Sequence, residues 1–198
     1  MDRLIYVAMT GARHAMIQQA ATAHNLANAN TTAYRADINA FRALPVYGGD
    51  VPTRAFVVDS TVGTDFAPGI LQQTGRDLDV AVQGKGWIAV QAADGTEAYT
   101  RNGSLQISPN GLLQTRNGLN VVGDGGPIAV PPDANITVGA DGTISIIPSG
   151  QQPNTVAQVA TIKLVNPPDG NLMKSSDGLF RLKDGGSAFA DPGVRLVS

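Results

Sequence analysis

Between residues 94 and 124 a turn dipeptide recurs every seven or eight positions: Asp94-Gly95, Asn102-Gly103, Asn110-Gly111, Asn117-Gly118 and Asp124-Gly125. Such pairs are the strongest local hairpin signals, because they accept the left-handed backbone of tight hairpin turns. The spacing leaves about five or six residues per strand, an ordinary length. Further Asp-Gly pairs begin at Asp141, Asp169, Asp177 and Asp184. β-rich runs at 54–60, 78–83, 87–92, 104–108, 136–139, 143–147 and 156–165 fit between the turns. The pattern predicts a mainly β fold, a meander of short antiparallel strands forming an irregular barrel or sandwich. Each turn Asn or Asp is expected to take the left-handed position itself. The 23 Gly and 12 Pro among 198 residues agree with so many turns.

The first 34 residues follow a different grammar, with one Gly and no Pro. Positions 5, 9, 12, 16, 19, 23, 26 and 30 read Ile, Met, Ala, Met, Gln, Ala, Leu and Asn, an apolar heptad seam on a helix. Asp2 sits where an acid favours the positive end of the helix dipole. A helix of about 30 residues would be roughly 45 Å long. Alone it is marginal in water, and Gly11 weakens it further. From His14 to Tyr34 there is no Asp, Glu, Lys or Arg. A helix lying on its own domain normally shows a charged outer face. An uncharged one suits a helix covered by other chains, and a disordered, low-charge leader is the competing reading. Residues 44–53, LPVYGGDVPT, read as an extended linker. The chain is thus divided into an N-terminal helix (1–34), an extended linker with β segments (35–73) and a β-domain (74–198).

Chemistry is hard to place. A net charge of −2 offers no basic field for nucleic acid. The absence of Cys excludes a disulfide scaffold, a thiolate metal site and a thiol nucleophile. No stretch approaches a membrane span, and the opening MDRLIYVAMTGARHAM lacks the form of a cleaved secretory signal. Any export therefore uses a route that keeps the N-terminus. His14 and His24 lie ten residues apart, nearly 15 Å along a helix, so they cannot share a metal. Gly84-Lys85-Gly86 lacks the spacing of a phosphate loop and reads as a tight turn between strands. Asp77 and Asp79 would alternate on a strand and share one face, where paired carboxylates could act on a sugar. An acidic strand start explains them as well. A carbohydrate-binding module is a further reading, weakened by an aromatic content of 5%. We expect no catalytic, cofactor-binding or metal-binding residues.

Two segments carry a family resemblance. Gln19–Tyr34, QAATAHNLANANTTAY, is similar to the N-terminal motif of the flagellar basal-body rod and hook proteins, with Asn25, Leu26, Ala27, Asn28, Asn30, Thr31 and Tyr34 matching. Ala33 stands where that family usually has Gly, and Ala resists a positive φ. Thr74–Val90, TGRDLDVAVQGKGWIAV, with Tyr99-Thr-Arg-Asn-Gly and Ser104, resembles the family's β-domain signature, although Trp87 and Ile88 replace a more usual aromatic pair. The resemblance implies a structural subunit of the proximal rod, with a distal-rod or hook-type subunit as the alternative. It also implies export through the flagellar type III apparatus, a place in the basal body's periplasmic rod, and partners that are further copies and neighbouring rod proteins. Neither nucleic acid nor membrane insertion is expected. In the family the N-terminal helix pairs with a C-terminal one, yet this sequence closes on VRLVS without a second seam. A shortened chain is the expectation. The assembly residues so implied are Ile5, Met9, Ala12, Met16, Ala23 and Leu26 for the seam. Asn25, Asn28, Asn30, Thr31 and Tyr34 would supply inter-subunit or turn hydrogen bonds.

Overall fold

The computed structural model describes residues 4–45, 55–131, 134–148 and 157–198, and the chain divides into two compact units, 1–67 and 68–198. The glycines and prolines of the expected linker at 46–54 fall outside the described residues, as does Asp2.

The first unit holds one helix, α1 (Leu4–Ala27), and an antiparallel ribbon of β1 (Asp37–Pro45) and β2 (Ala55–Thr64). The segment is helical, which excludes the disordered leader. It is shorter than the periodicity suggested, because its exit is dismantled by side chains. Asn28 donates Nδ2–H to the His24 carbonyl at 3.0 Å, and Thr31 donates to Asn28 Oδ1 at 3.2 Å. These bonds compete with continued helix, and residues 28–34 turn through short backbone bonds such as Thr31 N–H to Asn28 O. Ala33 completes the turn at φ 63°, the one non-glycine with positive φ among the described residues. For an L-residue with a Cβ that conformation costs on the order of 1–2 kcal/mol.

The second unit contains the strands β3 (Ala81–Gln83), β4 (Trp87–Gln91), β5 (Glu97–Thr100), β6 (Leu105–Ile107), β7 (Leu113–Thr115), β8 (Asn120–Gly123), β9 (Gly126–Pro127), β10 (Ala134–Val138), β11 (Thr143–Pro148), β12 (Ala157–Thr161), β13 (Leu164–Val165), β14 (Leu172–Lys174), β15 (Phe180–Leu182) and β16 (Arg195–Val197). The main sheet runs β14-β15-β5-β4-β8-β7-β6, with β13 added to β4 and β9 to β8. β10-β11-β12 form a second sheet and β16-β3 a third. All are antiparallel, and among the described residues none closes into a barrel. One core joins them: Val82 from β3, Ile88 and Val90 from β4, Leu113 from β7, Val121 from β8, Ile144 from β11 and Leu196 from β16 belong to a single buried cluster.

Three local expectations need correction. The run at 156–165 is two strands, because the chain leaves the β11 edge after Thr161 and re-enters the main sheet beside β4 at Leu164. The left-handed residue of the turns is the glycine, as at Gly95, Gly111, Gly118, Gly142, Gly178 and Gly185. The preceding acid instead accepts from the backbone two residues on: Asp94 from Thr96 N–H, Asp141 from Thr143 and Asp177 from Leu179. Finally, Asp77 and Asp79 share no strand. Asp77 lies exposed in a turn, and Asp79 forms an isolated bridge with Ser104.

That bridge is a lock. Asp79 accepts from Thr74 Oγ1 at 2.7 Å and Ser104 Oγ at 2.9 Å, and Arg76 lies 3.3 Å away. Burial pushes the Asp79 carboxyl up, but the two hydroxyls and Arg76 pull harder, leaving it below its ordinary 3.8. Backbone bonds from Val80 N–H to Gly103 O and Leu105 N–H to Leu78 O close the same seam. Space there is so tight that a Cβ on Gly103 would lie 1.8 Å from the Val80 carbonyl oxygen. Nearby, Arg101 donates to the Gly84 carbonyl and stands 5.8 Å over the buried Trp87 ring. Gly84-Lys85-Gly86 is indeed a bend between strands, β3 and β4, which belong to different sheets.

Gly103→Ala is therefore expected to destabilise the second unit by on the order of 4 kcal/mol, while Gly95→Ala, in open space at φ 82°, costs about 1 kcal/mol. Urea unfolding followed by the fluorescence of the single Trp checks both. Because Asp79 is depressed, its contribution is complete above the unfolded value near about 3.9 and is lost as pH falls through the folded value. Asp79→Asn should flatten the acid limb of that unfolding curve, and an unchanged limb contradicts the lock. In the first unit, Ala33→Gly should relieve strain by about 1 kcal/mol, read as roughly five-fold slower amide exchange at Tyr34 and Asp37.

Candidate assembly face

At 100° per residue, the helix presents two opposed stripes. Val7, Thr10, Gly11, His14, Ile17, Ala21, Asn25 and Asn28 are the half-buried positions along one side. This side meets the ribbon, as the His14 ring shows by packing edge-on against Phe41 with centroids 5.4 Å apart. The predicted seam lies roughly 180° around the helix. Ile5, Met9, Met16 and Leu26 are 62, 61, 70 and 75% exposed, and Ala12 and Ala23 are exposed between them.

The polar residues at the helix exit divide differently. Asn25 donates Nδ2–H to the Asp37 carbonyl and accepts the Asp37 N–H on Oδ1, both at 2.9 Å. Its side-chain amide pairs with β1 as a neighbouring strand's backbone would. Tyr34 donates its hydroxyl to the same Oδ1 at 2.8 Å. His24 Nδ1 sits 3.0 Å from the Tyr34 oxygen and 3.3 Å from Asp37 Oδ2. With the Tyr34 proton committed to Asn25, the His24 Nδ1–H is the donor to both oxygens. Asn25, Asn28, Thr31 and Tyr34 thus make turn and tertiary bonds inside their own unit, and Asn30 is exposed beside them.

The structure therefore gathers Ile5, Met9, Ala12, Met16, Ala23 and Leu26 on one open face, and turns Asn25 away from it. The sequence did contain a signal for this split. The spacing of Val7, Gly11, His14, Ala21, Asn25 and Asn28 is a second heptad register, masked because all of these but Val7 are small or polar. Thr10 and Thr22 return their hydroxyls to the carbonyls of Tyr6 and Gln18, so neither offers a free donor. Among the described residues of 4–67, Arg35 alone is buried, donating to the Ala67 carbonyl. No described cluster of three His, Asp or Glu could hold a metal ion, and no described helix is long and apolar enough to cross a membrane. The arrangement offers a contact surface.

Comparison with known proteins agrees with this geometry. The flagella basal body rod protein family matches residues 5–35, which contain the helix and its exit, and the flagellar hook protein FlgE/F/G D1 domain matches residues 81–146. The flagellar basal-body rod proteins FlgF of Salmonella typhimurium and of Escherichia coli are each 50% identical over 204 residues, covering 100% of this chain and 81% of theirs. The rod protein FlgG of Buchnera aphidicola (Schizaphis graminum) is 31% identical, covering 82% of this chain and 68% of its own. With a helix, a β-domain and whole-chain identity all pointing one way, the chain belongs to the flagellar basal-body rod proteins.

Proposed function

We propose that this chain is a structural subunit of the proximal flagellar rod, working by assembly and without chemistry. Copies would stack helically, with neighbouring rod proteins above and below, into the periplasmic shaft that carries torque from motor to hook. The observation that carries this reading is the open, uncharged seam of α1, which lies within the residues matched by the rod family. A face with Met16 and Leu26 so far exposed lowers its free energy only against another apolar surface. Ile5, Met9, Ala12, Met16, Ala23 and Leu26 are the residues that bury there, with Asn30 at the rim. Asn25, Asn28, Thr31 and Tyr34 act indirectly, by holding the helix exit against β1. Residues 1–34 serve as the rod-core segment, 35–73 as the connection and 74–198 as the outer β-domain. Delivery through the type III export apparatus, with the N-terminus retained, completes the reading.

A distal-rod or hook-type subunit is not favoured, since identity to the proteins named FlgF is 50% over the whole chain, against 31% for the FlgG above. A glycosidase on Asp77 and Asp79 has no support from their placement, because Asp79 is consumed by Thr74, Ser104 and Arg76.

Sedimentation velocity across a concentration series tests the proposal. The wild-type chain and Met16→Leu should shift to faster-sedimenting species as concentration rises, while Met16→Glu stays monomeric at every concentration. Met16→Glu should leave the Trp87 unfolding midpoint unmoved, since the seam lies in the other unit. A wild-type chain that remains monomeric, or a glutamate variant that assembles like it, contradicts the proposal.

A further inference from the structure

Residues 183–193 carry the chain from β15 to β16 and are exposed except for half-buried Ala188 and Asp191, whereas Phe180 before them and Val194 after them are buried. This stretch lies along β13. Ala190 bridges Val165, and Asp191 donates its N–H to the Leu164 carbonyl at 2.8 Å. Val165 is already paired with Trp87 of β4, so the stretch occupies the outer edge of β13, where strand backbone would otherwise stand unpaired. A buried side chain fastens it as well. The Tyr99 hydroxyl accepts the Ala188 N–H at 2.7 Å and donates to Glu97 Oε1 at 2.9 Å. Glu97 in turn takes Lys163 Nζ on both carboxylate oxygens, at 2.9 and 2.8 Å. Tyr99 is fully buried, and the Lys163 and Glu97 side chains are only 16 and 15% exposed. Burial pushes the Tyr99 hydroxyl up to about 12, so it keeps its proton and goes on donating to Glu97.

We infer that residues 183–193 are a strap that opens and closes over the β13 edge as a unit, with Tyr99, backed by Glu97 and Lys163, as its latch. The contrast between strap and latch carries this. The strap has no buried residue of its own, and small residues bracket it, Gly185-Gly186 at one end and Gly193 at the other. Few buried contacts make a segment open ahead of its surroundings, and small residues at its ends absorb the backbone change. The latch is the opposite, a buried polar network in which each member has a partner, and such networks hold their geometry stiffly. It joins three stretches far apart in sequence: β5, the link from β12 to β13, and the strap. Lys163 stands immediately before β13, so the same network fixes the strand and the strap that covers it. Opening breaks the Ala188–Tyr99 and Asp191–Leu164 bonds, bares the edge of β13 and admits water to the Tyr99 hydroxyl, while β4, β5 and β8 stay paired. The device lies wholly within the second unit and does not depend on the rod-subunit reading.

Residue-resolved hydrogen exchange of the full chain in low urea tests this. In the wild type, the amides of Ala188 and Asp191 should exchange together, about a hundredfold faster than those of Ala89 in β4 and Leu113 in β7, and with little response to urea. Because the chain has no Cys, a disulfide can lock the strap. The bond from Asp191 to Leu164 flanks the Val165–Ala190 bridge, which makes that pair the close, non-hydrogen-bonded kind, about 4.5 Å apart at Cα and within disulfide reach. Oxidised Val165→Cys/Ala190→Cys should slow Ala188 and Asp191 to the rate of Ala89, and reduction should restore the fast exchange. Tyr99→Phe, which removes the hydroxyl and keeps the ring, should speed Ala188 and Asp191 about tenfold. Exchange of Ala188 and Asp191 at the rate of Ala89 in the wild type overturns the inference, since the strap then opens only with the whole unit. Rates that ignore the disulfide overturn it too, and rates unmoved by Tyr99→Phe remove Tyr99 as the latch. Should Tyr99→Phe fail to fold, the wild-type and disulfide measurements still decide whether the strap opens.

Discussion

The constraint on which this molecule turns is a helix with more apolar surface than the described residues cover. In the second unit, Ile88, Val90, Leu105, Leu113, Val121 and Ile144 are fully buried in one cluster that ties three sheets together. In the first, Ile5, Met9, Met16 and Leu26 of α1 face water, and the buried position among the described residues is an arginine. One unit is complete in itself. The other leaves the seam of α1 open, so the described residues do not supply the apolar partner that a short helix needs there.

Polar side chains do for the first unit what a core does for the second. Asn25 acts as a piece of β-strand against Asp37, and Tyr34 and His24 hold it there. The helix is thereby stopped at a set point, with its bare stripe facing outward and its small and polar stripe against the ribbon. Ala33 accepts a left-handed conformation to make that exit, a strain located where the chain must turn from helix to strand.

Much of this is legible in the sequence, for identifiable reasons. The Asp-Gly and Asn-Gly spacing announced the strands from β5 to β8, because turn chemistry is local. The heptad seam was readable because large apolar residues mark it. Its opposite stripe was missed, since Gly11, Ala21 and Asn25 carry no apolar signal. Their burial follows from a ribbon whose Asp37, Asn39 and Phe41 come from a stretch that reads as linker. The role of Asp79 was likewise hidden, because Thr74 and Ser104 reach it from opposite sides of a long excursion in sequence. Non-local pairing of that kind leaves no periodicity behind.

Hydrogen exchange along α1, compared between dilute and assembled protein, bears most directly on the central claim. In the dilute chain, amides of residues 4–27 should exchange far faster than those of β4 and β8, and they should gain protection on assembly while the β-domain is unchanged. Protection of α1 equal to that of β4 in the dilute monomer would show that the helix is stable without a partner, contradicting the account.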